Sequence, residues 1–548
     1  MLLSDISQVV SLDPQDVVIV GGGAAGLTLA HALSGKGMRI LVLEAGGEKR
    51  TSDAQDFYRG EVTDPLVHPS LDRYRERAIG GTSRIWGGRV VPFDPIDFRK
   101  RQWVPRSGWP ITFETLKPYY ERAVLEAEGG KYAFSPAEAL PRSQRELVKG
   151  LDGFFLTTTI ERFSKPTNFW RHFGEPLRRS KDVKVVLNAS VTAVRLTDQG
   201  SSVACIEVVG RDGLTRSVVG RSYVLALGGL ETTRLLLVSN KIRAEGIGNT
   251  SGELGRNYMS HLSATAGIIT FSGPPHDVGY DYERDNDGIY LRRRLWLNET
   301  AQQRFELLNT TFQTHLPDPS NPGHGDAILS AMFLVRSLVL YEYSRKFSES
   351  EVGWSERVKH ILNILGQPAR LTKFGFNWLH KRTFADRKLP SLVLGSSLNR
   401  YVLQFLAEQS PNPESRLTLS SDRDRLGMPR LKVDWRPCEL DFESIRRSCR
   451  LLSEELTRTG TGTLEYDTDA LTDRARRHGI VGGHHIGTTR MSDDPRRGVV
   501  NADCRVHDVA NLFVISASVF PTSGQANPTL TLLALALRLA DKLQMQLR

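Results

Sequence analysis

A glycine-rich turn near the amino end constrains the fold of this chain more than any other feature. Residues 16–20 form a short apolar run with β-branched side chains, which is typical of a buried parallel strand. Residues 21–26 follow with the spacing G-x-G-x-x-G, and helix-forming residues then occupy 27–34. This order of strand, turn and helix predicts a βαβ unit that binds a dinucleotide.

Three glycines and one carboxylate of this unit have separate predicted roles. Gly21 permits the tight turn, Gly23 lets a pyrophosphate approach the backbone, and Gly26 lets the helix pack closely on the strand. A second strand, predicted over 39–43, leads to Glu44, whose carboxylate would accept hydrogen bonds from ribose hydroxyls and repel a 2′-phosphate. A chance glycine-rich turn is the alternative, but strand, helix and acid are all in register.

A second glycine-rich loop occupies residues 77–88. It carries the hydroxyls of Thr82 and Ser83 and the indole of Trp86, which can bond to a bound ring and cover it. Farther along the chain, an apolar strand is predicted over 223–227, followed by a helix from residue 230. We expect these segments to complete one nucleotide-binding sheet.

Two polar side chains near the carboxyl end are candidate catalytic groups. His484 lies in a Gly-Gly-His-His segment, and Asn527 stands 43 residues later, directly before Pro528. Asn-Pro followed by an apolar run over 529–538 predicts a helix with Asn527 as its N-cap and proline at N1. The positive end of such a helix stabilises negative charge on a ligand. The alternative is that Asn527 only caps the helix.

In this order along the chain, the motifs resemble the glucose-methanol-choline (GMC) oxidoreductases, and within them the branch of pyranose oxidase and related sugar dehydrogenases. The similar stretches are roughly 16–48, 77–125, 219–261, 405–419 and 480–543. The resemblance implies FAD bound in extended form. It implies that these residues contact the cofactor: Gly21, Gly23, Gly26, Glu44, Gly80, Gly81, Thr82, Ser83, Trp86, Gly87, Ala226, Ala517, Asn527 and Thr529.

The resemblance also implies a mixed α/β architecture with two domains. A Rossmann-like FAD-binding domain would be discontinuous, formed by residues 1–95, 185–262 and 478–548. A substrate-binding domain, residues 96–184 and 263–477, would be built on an antiparallel sheet.

The sequence departs from the family pattern at two places. Some pyranose oxidases attach FAD covalently through a histidine in the segment similar to 80–86, but Ile85 stands where that histidine is expected. We therefore expect non-covalent FAD. Many members have Asp-Gly where this chain has Ser516-Ala517, so a carboxylate contact to the cofactor is absent while backbone contacts stay possible.

Oxidation of an alcohol by a flavin needs few protein groups, because the flavin accepts the electrons. Removal of hydride from the carbinol carbon leaves a proton on oxygen, and a histidine, with a reference pKa near 6.5, is suited to accept it. The resemblance aligns His484 with the catalytic histidine of the family, and His485 is the second choice. The Asn527 amide would donate a hydrogen bond to the same oxygen as alkoxide character develops.

Candidate substrate-binding residues lie on, and directly after, a strand predicted over 401–406. Gln404 and Glu408 share one face by the period of two, and in the sugar-oxidising branch a similar strand faces the substrate. The alternative is that they close the end of the strand. His261 is expected to be a structural histidine, and no histidines or cysteines have metal-ligand spacing.

Composition limits the class of protein. A chain of 548 residues with 40% hydrophobic content can bury two large cores. Its four cysteines form no close pair, and no signal peptide or long apolar segment is visible, so we expect a reduced, cytoplasmic protein.

Positive charge is concentrated in residues 331–400, which contain twelve Lys or Arg against five Asp or Glu. A basic helical excursion packed on the substrate domain is the plainer interpretation. Docking to an acidic partner, to an anionic membrane surface or to an acidic substrate is the alternative. Nucleic acid is not expected as a partner, since no recognition motif accompanies the charge.

The expected function is oxidation of a sugar, glycoside or polyol hydroxyl, with electrons passed to oxygen or another acceptor. Oxidation of a non-sugar alcohol stays open, as does a lyase activity, because hydroxynitrile lyases resemble this family and keep FAD. A non-enzymatic relative that keeps FAD as a structural element is a third possibility, which the intact His484 and Asn527 disfavour.

Overall fold

The computed structural model describes residues 1–8, 14–141, 143, 145–335, 353–385 and 387–547. Its strands are β1 (Leu2–Leu3), β2 (Gln15–Val20), β3 (Ile40–Leu43), β4 (Glu61–Val62), β5 (Arg89–Val90), β6 (Phe155–Phe163), β7 (Val183–Val186), β8 (Ser190–Leu196), β9 (Val203–Val209), β10 (Thr215–Val218), β11 (Gly220–Leu225), β12 (Leu262–Phe271), β13 (Glu283–Arg284), β14 (Tyr290–Leu297), β15 (Thr310–His315), β16 (Arg400–Ala407), β17 (Arg416–Arg423), β18 (Pro429–Asp434), β19 (Gly462–Glu465) and β20 (Leu512–Val514).

The α-helices of the described residues, in chain order, are α1 (Ala24–Leu33), α2 (Ser52–Asp56), α3 (Pro95–Phe98), α4 (Phe113–Glu126), α5 (Pro136–Ala139), α6 (Phe169–Arg179), α7 (Gly229–Val238), α8 (Glu299–Phe305), α9 (Ala327–Leu334), α10 (Trp354–Gly366), α11 (Pro368–Leu379), α12 (Glu439–Thr459), α13 (Thr468–His478) and α14 (Thr529–Leu547). No helix in the described part of the chain is long and apolar enough to cross a membrane.

One sheet is parallel and carries the glycine turn. Its strands lie in the order β1-β7-β3-β2-β11-β20, and each neighbouring pair is parallel. The predicted strands at 16–20, 39–43 and 223–227 are confirmed as β2, β3 and β11, although β11 begins at Gly220. Its apolar strands are buried, as expected for parallel sheets. The mixed α/β fold predicted from the sequence is confirmed.

The core of the parallel sheet draws on more of the chain than the predicted FAD-binding domain. Helices α1 and α14 pack on each other, and α4 packs on α14. Side chains of α4 and α6, such as Tyr120 and Phe173, lie in the same apolar cluster as the sheet. The predicted boundary at residue 185 also falls inside β7. The division into two domains stays a prediction. The shared apolar cluster and the position of residue 185 inside β7 both differ from the predicted boundaries.

The second large sheet of the described residues is antiparallel. Its strands lie in the order β19-β12-β16-β15-β14-β6-β5, and β13 pairs with β14. Helices α12 and α13 contribute Leu452 and Leu471 to the apolar cluster on one face of this sheet, with Phe312 and Phe405 from the strands. Residues on the opposite face alternate with these, so Gln313 and Gln404 point to the other side.

The basic segment at 331–400 is helical over part of its described length. Helices α10 and α11 lie within it, whereas residues 387–399 form no helix, and the basic helical excursion on the substrate domain stays a prediction. Residues 336–352 and 386 lie outside the described residues. Arg387 donates hydrogen bonds to the carbonyl oxygens of Glu128 (3.1 Å) and Phe163 (3.4 Å), so this base belongs to the fold rather than to a docking surface.

Candidate active site

A cavity of about 490 Å³ lies at the carboxyl ends of the central parallel strands. Val20 and Leu43, the last residues of β2 and β3, line it, as does Ala226 directly after β11. Open parallel sheets bind ligands at this edge. His484 and Asn527 also line the cavity, so one space joins the predicted nucleotide site to the predicted catalytic pair.

The glycine turn has the geometry that a pyrophosphate requires. Gly21 has a φ of +112°, which favours glycine. A Cβ on Gly26 would lie 2.0 Å from the carbonyl oxygen of Gly21, so only glycine lets α1 approach β2 this closely. Gly23 is the N-cap of α1 and provides no side-chain cap, while Ala24 and Ala25 line the cavity. The first amides of α1 are therefore available to phosphate oxygens.

Glu44 lines the cavity as a carboxylate held by backbone amides. Its Oε2 accepts a hydrogen bond from Gly22 N at 2.8 Å, and its Oε1 accepts one from Gly46 N at 2.6 Å. Each carboxylate oxygen can accept more than one hydrogen bond. The two amides fix the orientation of the side chain and leave acceptor capacity for ribose hydroxyls.

The second glycine-rich loop also lines the cavity, but two of its polar groups bond within the protein. The hydroxyl of Ser83 donates to Gly80 O at 2.6 Å, and the indole nitrogen of Trp86 donates to Thr167 O at 2.8 Å. These bonds fix the loop in place. The ring of Trp86 and the backbone of Gly81 are thus positioned to cover a ligand.

His484 makes a direct contact that the sequence does not reveal. Its Nδ1 lies 2.7 Å from Nδ1 of His261, and the two rings are nearly perpendicular, at 86°. His261 is fully buried directly before β12, whereas His484 is half-buried in the cavity wall. The expectation that His261 is only structural is therefore incomplete, because this ring touches the candidate base.

The contacts of His261 determine the tautomer of His484. Burial lowers the pKa of His261 to about 3, so this ring is neutral at pH 7. Its Nε2 lies 3.0 Å from Ser523 O, which can only accept, so Nε2 carries the hydrogen. Nδ1 of His261 is then an acceptor, and the hydrogen between the rings belongs to Nδ1 of His484. Neutral His484 consequently has an unprotonated Nε2, the form that can take a proton.

Arg89 fixes the orientation of Asn527 in a similar way. Its Nη1 donates a hydrogen bond to Oδ1 of Asn527. Because a guanidinium only donates, the amide oxygen must face Arg89, which leaves Nδ2 of Asn527 as a donor for a ligand. Helix α14 begins at Thr529, and Leu532 N donates to Pro528 O at 2.9 Å. The predicted N-cap role of Asn527 is therefore wrong, since its side chain turns to Arg89.

A buried ion-pair network holds Arg89. Its Nη2 lies 3.0 Å from Oε1 of Glu161, and Arg292 lies 3.1 Å from the other oxygen of that carboxylate. Burial alone would raise the pKa of Glu161, but Arg89, Arg292 and Arg294 lower it to about 2. Glu161 is thus ionised across the physiological range and keeps Arg89 against Asn527.

Comparison with known families decides the identity of this site. The FAD dependent oxidoreductase model matches residues 16–332, which is more than half of the chain, and the GMC oxidoreductase model matches residues 411–536. This chain is an FAD-dependent oxidoreductase of the GMC type.

The GMC enzyme is similar to its relatives along almost its whole length. It is 24% identical to the fructose dehydrogenase large subunit of Gluconobacter japonicus, over 96% of this chain and 97% of that one. It is also 24% identical to paromamine 6′-oxidase of Streptomyces fradiae, over 96% and 90% of the two chains. The crystal structure of pyridoxine 4-oxidase from Mesorbium loti has the same fold, with a TM-score of 0.54 at 18% identity over 96% of this chain and 99% of that one.

The cavity of the GMC enzyme fits FAD. Uncapped amides of α1 suit the pyrophosphate, and Glu44 suits the ribose. Of the fourteen residues predicted to contact the cofactor, twelve line the cavity. The exceptions are Gly26, which packs α1 on β2, and Gly80, which has a φ of +92° at the start of the second loop. Ile85 also lines the cavity, at the place where a covalent link is expected in some relatives.

His485 lines the same cavity but is held by other groups. Its ring stacks on Tyr258, with centroids 6.3 Å apart, and the Tyr258 hydroxyl lies 3.0 Å from Nε2 of His68. Burial lowers the pKa of His485 well below 6.5. Of His484 and His485, it is His484 that contacts the neutral His261, and this favours His484 as the base.

The two predicted substrate residues of the GMC enzyme have different surroundings. The expectation that Glu408 contacts substrate is corrected, because its carboxylate is fully buried in a two-bond ion pair with Arg101, which is itself only 2% exposed. Gln404 is half-buried on the polar face of the antiparallel sheet and accepts a hydrogen bond from Gln313 at 3.4 Å. Gln313 accepts one from Arg292, so Gln404 connects to the network that holds Arg89.

Proposed function

We propose that this enzyme binds FAD non-covalently and oxidises a hydroxyl of a sugar, glycoside or polyol to a carbonyl. The observation that carries the proposal is the hydrogen bond between His261 and His484, which places the hydrogen of a neutral His484 ring on Nδ1 and leaves its Nε2 as the proton acceptor. A group in that state removes a proton from a hydroxyl, the step that alcohol oxidation requires of the protein.

His484, Asn527 and Arg89 have separate roles in the proposed reaction. Bound FAD supplies the acceptor for the hydride that leaves the carbinol carbon. His484 takes the hydroxyl proton at Nε2, and the electron pair of the broken O–H bond forms the second bond of the carbonyl as the hydride leaves the carbon with two electrons. Asn527 donates from Nδ2 to that oxygen while negative charge develops on it. Arg89 adds a positive charge beside Asn527 and so favours the same alkoxide character.

A hydroxyl-rich substrate is supported by the polar face of the antiparallel sheet. Gln404 and Gln313 present amide groups there, half-buried and next to Arg292. Amide side chains both donate to and accept from hydroxyls. Two relatives that match nearly the whole chain are named for fructose and for paromamine, which supports a substrate of the sugar class.

A substrate screen under two conditions tests the proposal. Monosaccharides, glycosides, polyols and simple alcohols are mixed with the FAD-loaded enzyme without oxygen, and the flavin absorbance is followed. We expect bleaching with at least one sugar or polyol, and turnover when a dye or oxygen is then supplied. Bleaching only with simple alcohols would overturn the sugar assignment. Turnover of a cyanohydrin without any bleaching would show a lyase instead.

A further inference from the structure

Helix α10 exposes several large apolar side chains, while its one buried residue is the polar His360. Exposed apolar residues follow one another at spacings of four and three, which places them on one face: Trp354 (77% exposed), Val358 (38%), Ile361 (43%) and Leu365 (69%). Leu362, beside this face, is 60% exposed. A surface helix of a water-soluble domain normally has the reverse arrangement.

The inner side of α10 is attached to the protein by polar groups. The buried His360 lies 3.1 Å from the Ser330 hydroxyl on α9. Asn363 donates to Pro322 O at 2.9 Å, and Gln367 donates to Gly325 O at 2.8 Å. These bonds fix which side of the helix faces outward, so the apolar face is presented by the fold and is not a consequence of a loosely placed helix.

Helix α11, which contacts α10, also exposes large apolar side chains. Its half-buried Leu371, Phe374 and Trp378 pack on a small apolar cluster beside α9. On its outer side Phe376 is 76% exposed and Leu379 is 52% exposed. We call the outer faces of α10 and α11 the exposed helical face. Several large apolar side chains exposed on two contacting helices indicate an interaction site.

The segment that carries the exposed helical face has an excess of positive charge. Residues 354–381 contain five Lys or Arg and a single acidic residue, Glu356. Arg357, Lys359 and Lys373 are all exposed. Large apolar side chains with lysines and arginines at their edges are the composition of helices that lie in the interface of an anionic bilayer.

We infer that the exposed helical face docks this enzyme on an anionic lipid surface, with α10 and α11 lying in the plane of the interface. Its apolar side chains enter the acyl boundary, and its bases contact lipid phosphates. A second copy of this chain is a poorer occupant, because two faces of the same positive charge repel each other. The docked state needs no membrane-spanning helix.

Co-sedimentation of the FAD-loaded, full-length enzyme with vesicles tests this inference. We expect binding to vesicles of phosphatidylcholine mixed with phosphatidylglycerol, and at least tenfold weaker binding to phosphatidylcholine alone. Raising the salt from 0.05 M to 0.5 M weakens the binding, since screening shortens the range of the attraction. The paired substitution Ile361→Gln and Leu365→Gln abolishes it, while turnover with a dye acceptor stays unchanged.

Matched substitutions elsewhere on the surface provide the control. Leu214 (61% exposed) and Met545 (69%) lie far from α10 in sequence, and their change to glutamine leaves vesicle binding intact. Absence of binding to either vesicle, or binding that the Ile361 and Leu365 substitutions do not weaken, overturns the inference. So does sedimentation of the free enzyme as a dimer that these two substitutions convert to a monomer, because the face then belongs to a second copy.

Discussion

Replacement of His261 separates its effect on the tautomer of His484 from a general effect on the fold. His261→Leu removes the acceptor that lies 2.7 Å from Nδ1 of His484. The ring of His484 then loses its fixed tautomer, and the form with a hydrogen on Nε2 cannot accept a proton from substrate. We expect slower reduction of bound FAD, with little change in substrate affinity.

The size of the effect follows from one lost hydrogen bond. A buried donor left without a partner costs about 1–3 kcal/mol. At about 1.4 kcal/mol for each factor of ten, the limiting rate of FAD reduction should fall by roughly 5- to 150-fold. His261→Asn provides the matched control, because its amide oxygen can occupy the place of Nδ1 and accept the same hydrogen.

Anaerobic stopped-flow reduction measures both quantities, since the substrate dependence gives the affinity and the plateau gives the limiting rate. His261→Asn should recover most of the rate that His261→Leu loses, at equal FAD content. Equal losses in the two variants, or a loss that is entirely in FAD content or substrate affinity, would refute the tautomer argument and leave His261 with a structural role.

Three further predictions concern the cofactor, the oxyanion site and pH. Acid precipitation should release all FAD into the supernatant, because Ile85 offers no group for a covalent link; colour in the pellet would contradict this. Arg89→Leu should slow FAD reduction at least tenfold, since Asn527 loses the bond that orients it, whereas Arg99→Leu, at an exposed ion pair, should not. Burial lowers the pKa of His68 to about 4, so between about pH 6.5 and 4 the unfolded chain binds a proton there that the folded protein does not. The free energy of unfolding in urea should therefore decline as pH falls through that window. In His68→Gln, the slope of this free energy against pH should be smaller by about 1.4 kcal/mol per pH unit.

Much of the nucleotide-binding half can be predicted from the sequence, because its signals are local. The glycine spacing from Gly21 to Gly26 and the position of Glu44 depend on residues that are neighbours along one βαβ unit. The local sequence around His484 and Asn527, together with the family resemblance, predicts them as catalytic candidates, and both lie in the wall of the same cavity. Their roles in catalysis stay predictions.

The remaining features depend on contacts between distant parts of the chain. His261 meets His484 across 223 residues, and Arg89 meets Asn527 across 438, so no local pattern shows either contact. The alternation of side chains on the strand before Glu408 does not show that Arg101, 307 residues away in sequence, binds the Glu408 carboxylate. This ion pair keeps the carboxylate from contacting a substrate. In the same way, the Asn-Pro pair predicts a helix cap, but the side chain of Asn527 binds the distant Arg89 instead.

The central claim is that His484 accepts the hydroxyl proton of the substrate, and the rate of anaerobic FAD reduction in His484→Ala and His485→Ala tests it most directly. General-base assistance is typically worth about 10²- to 10⁴-fold, so His484→Ala should bind FAD and be reduced more slowly by that factor. His485→Ala should be affected much less. A larger loss in His485→Ala, or an undiminished rate in His484→Ala, would contradict the account.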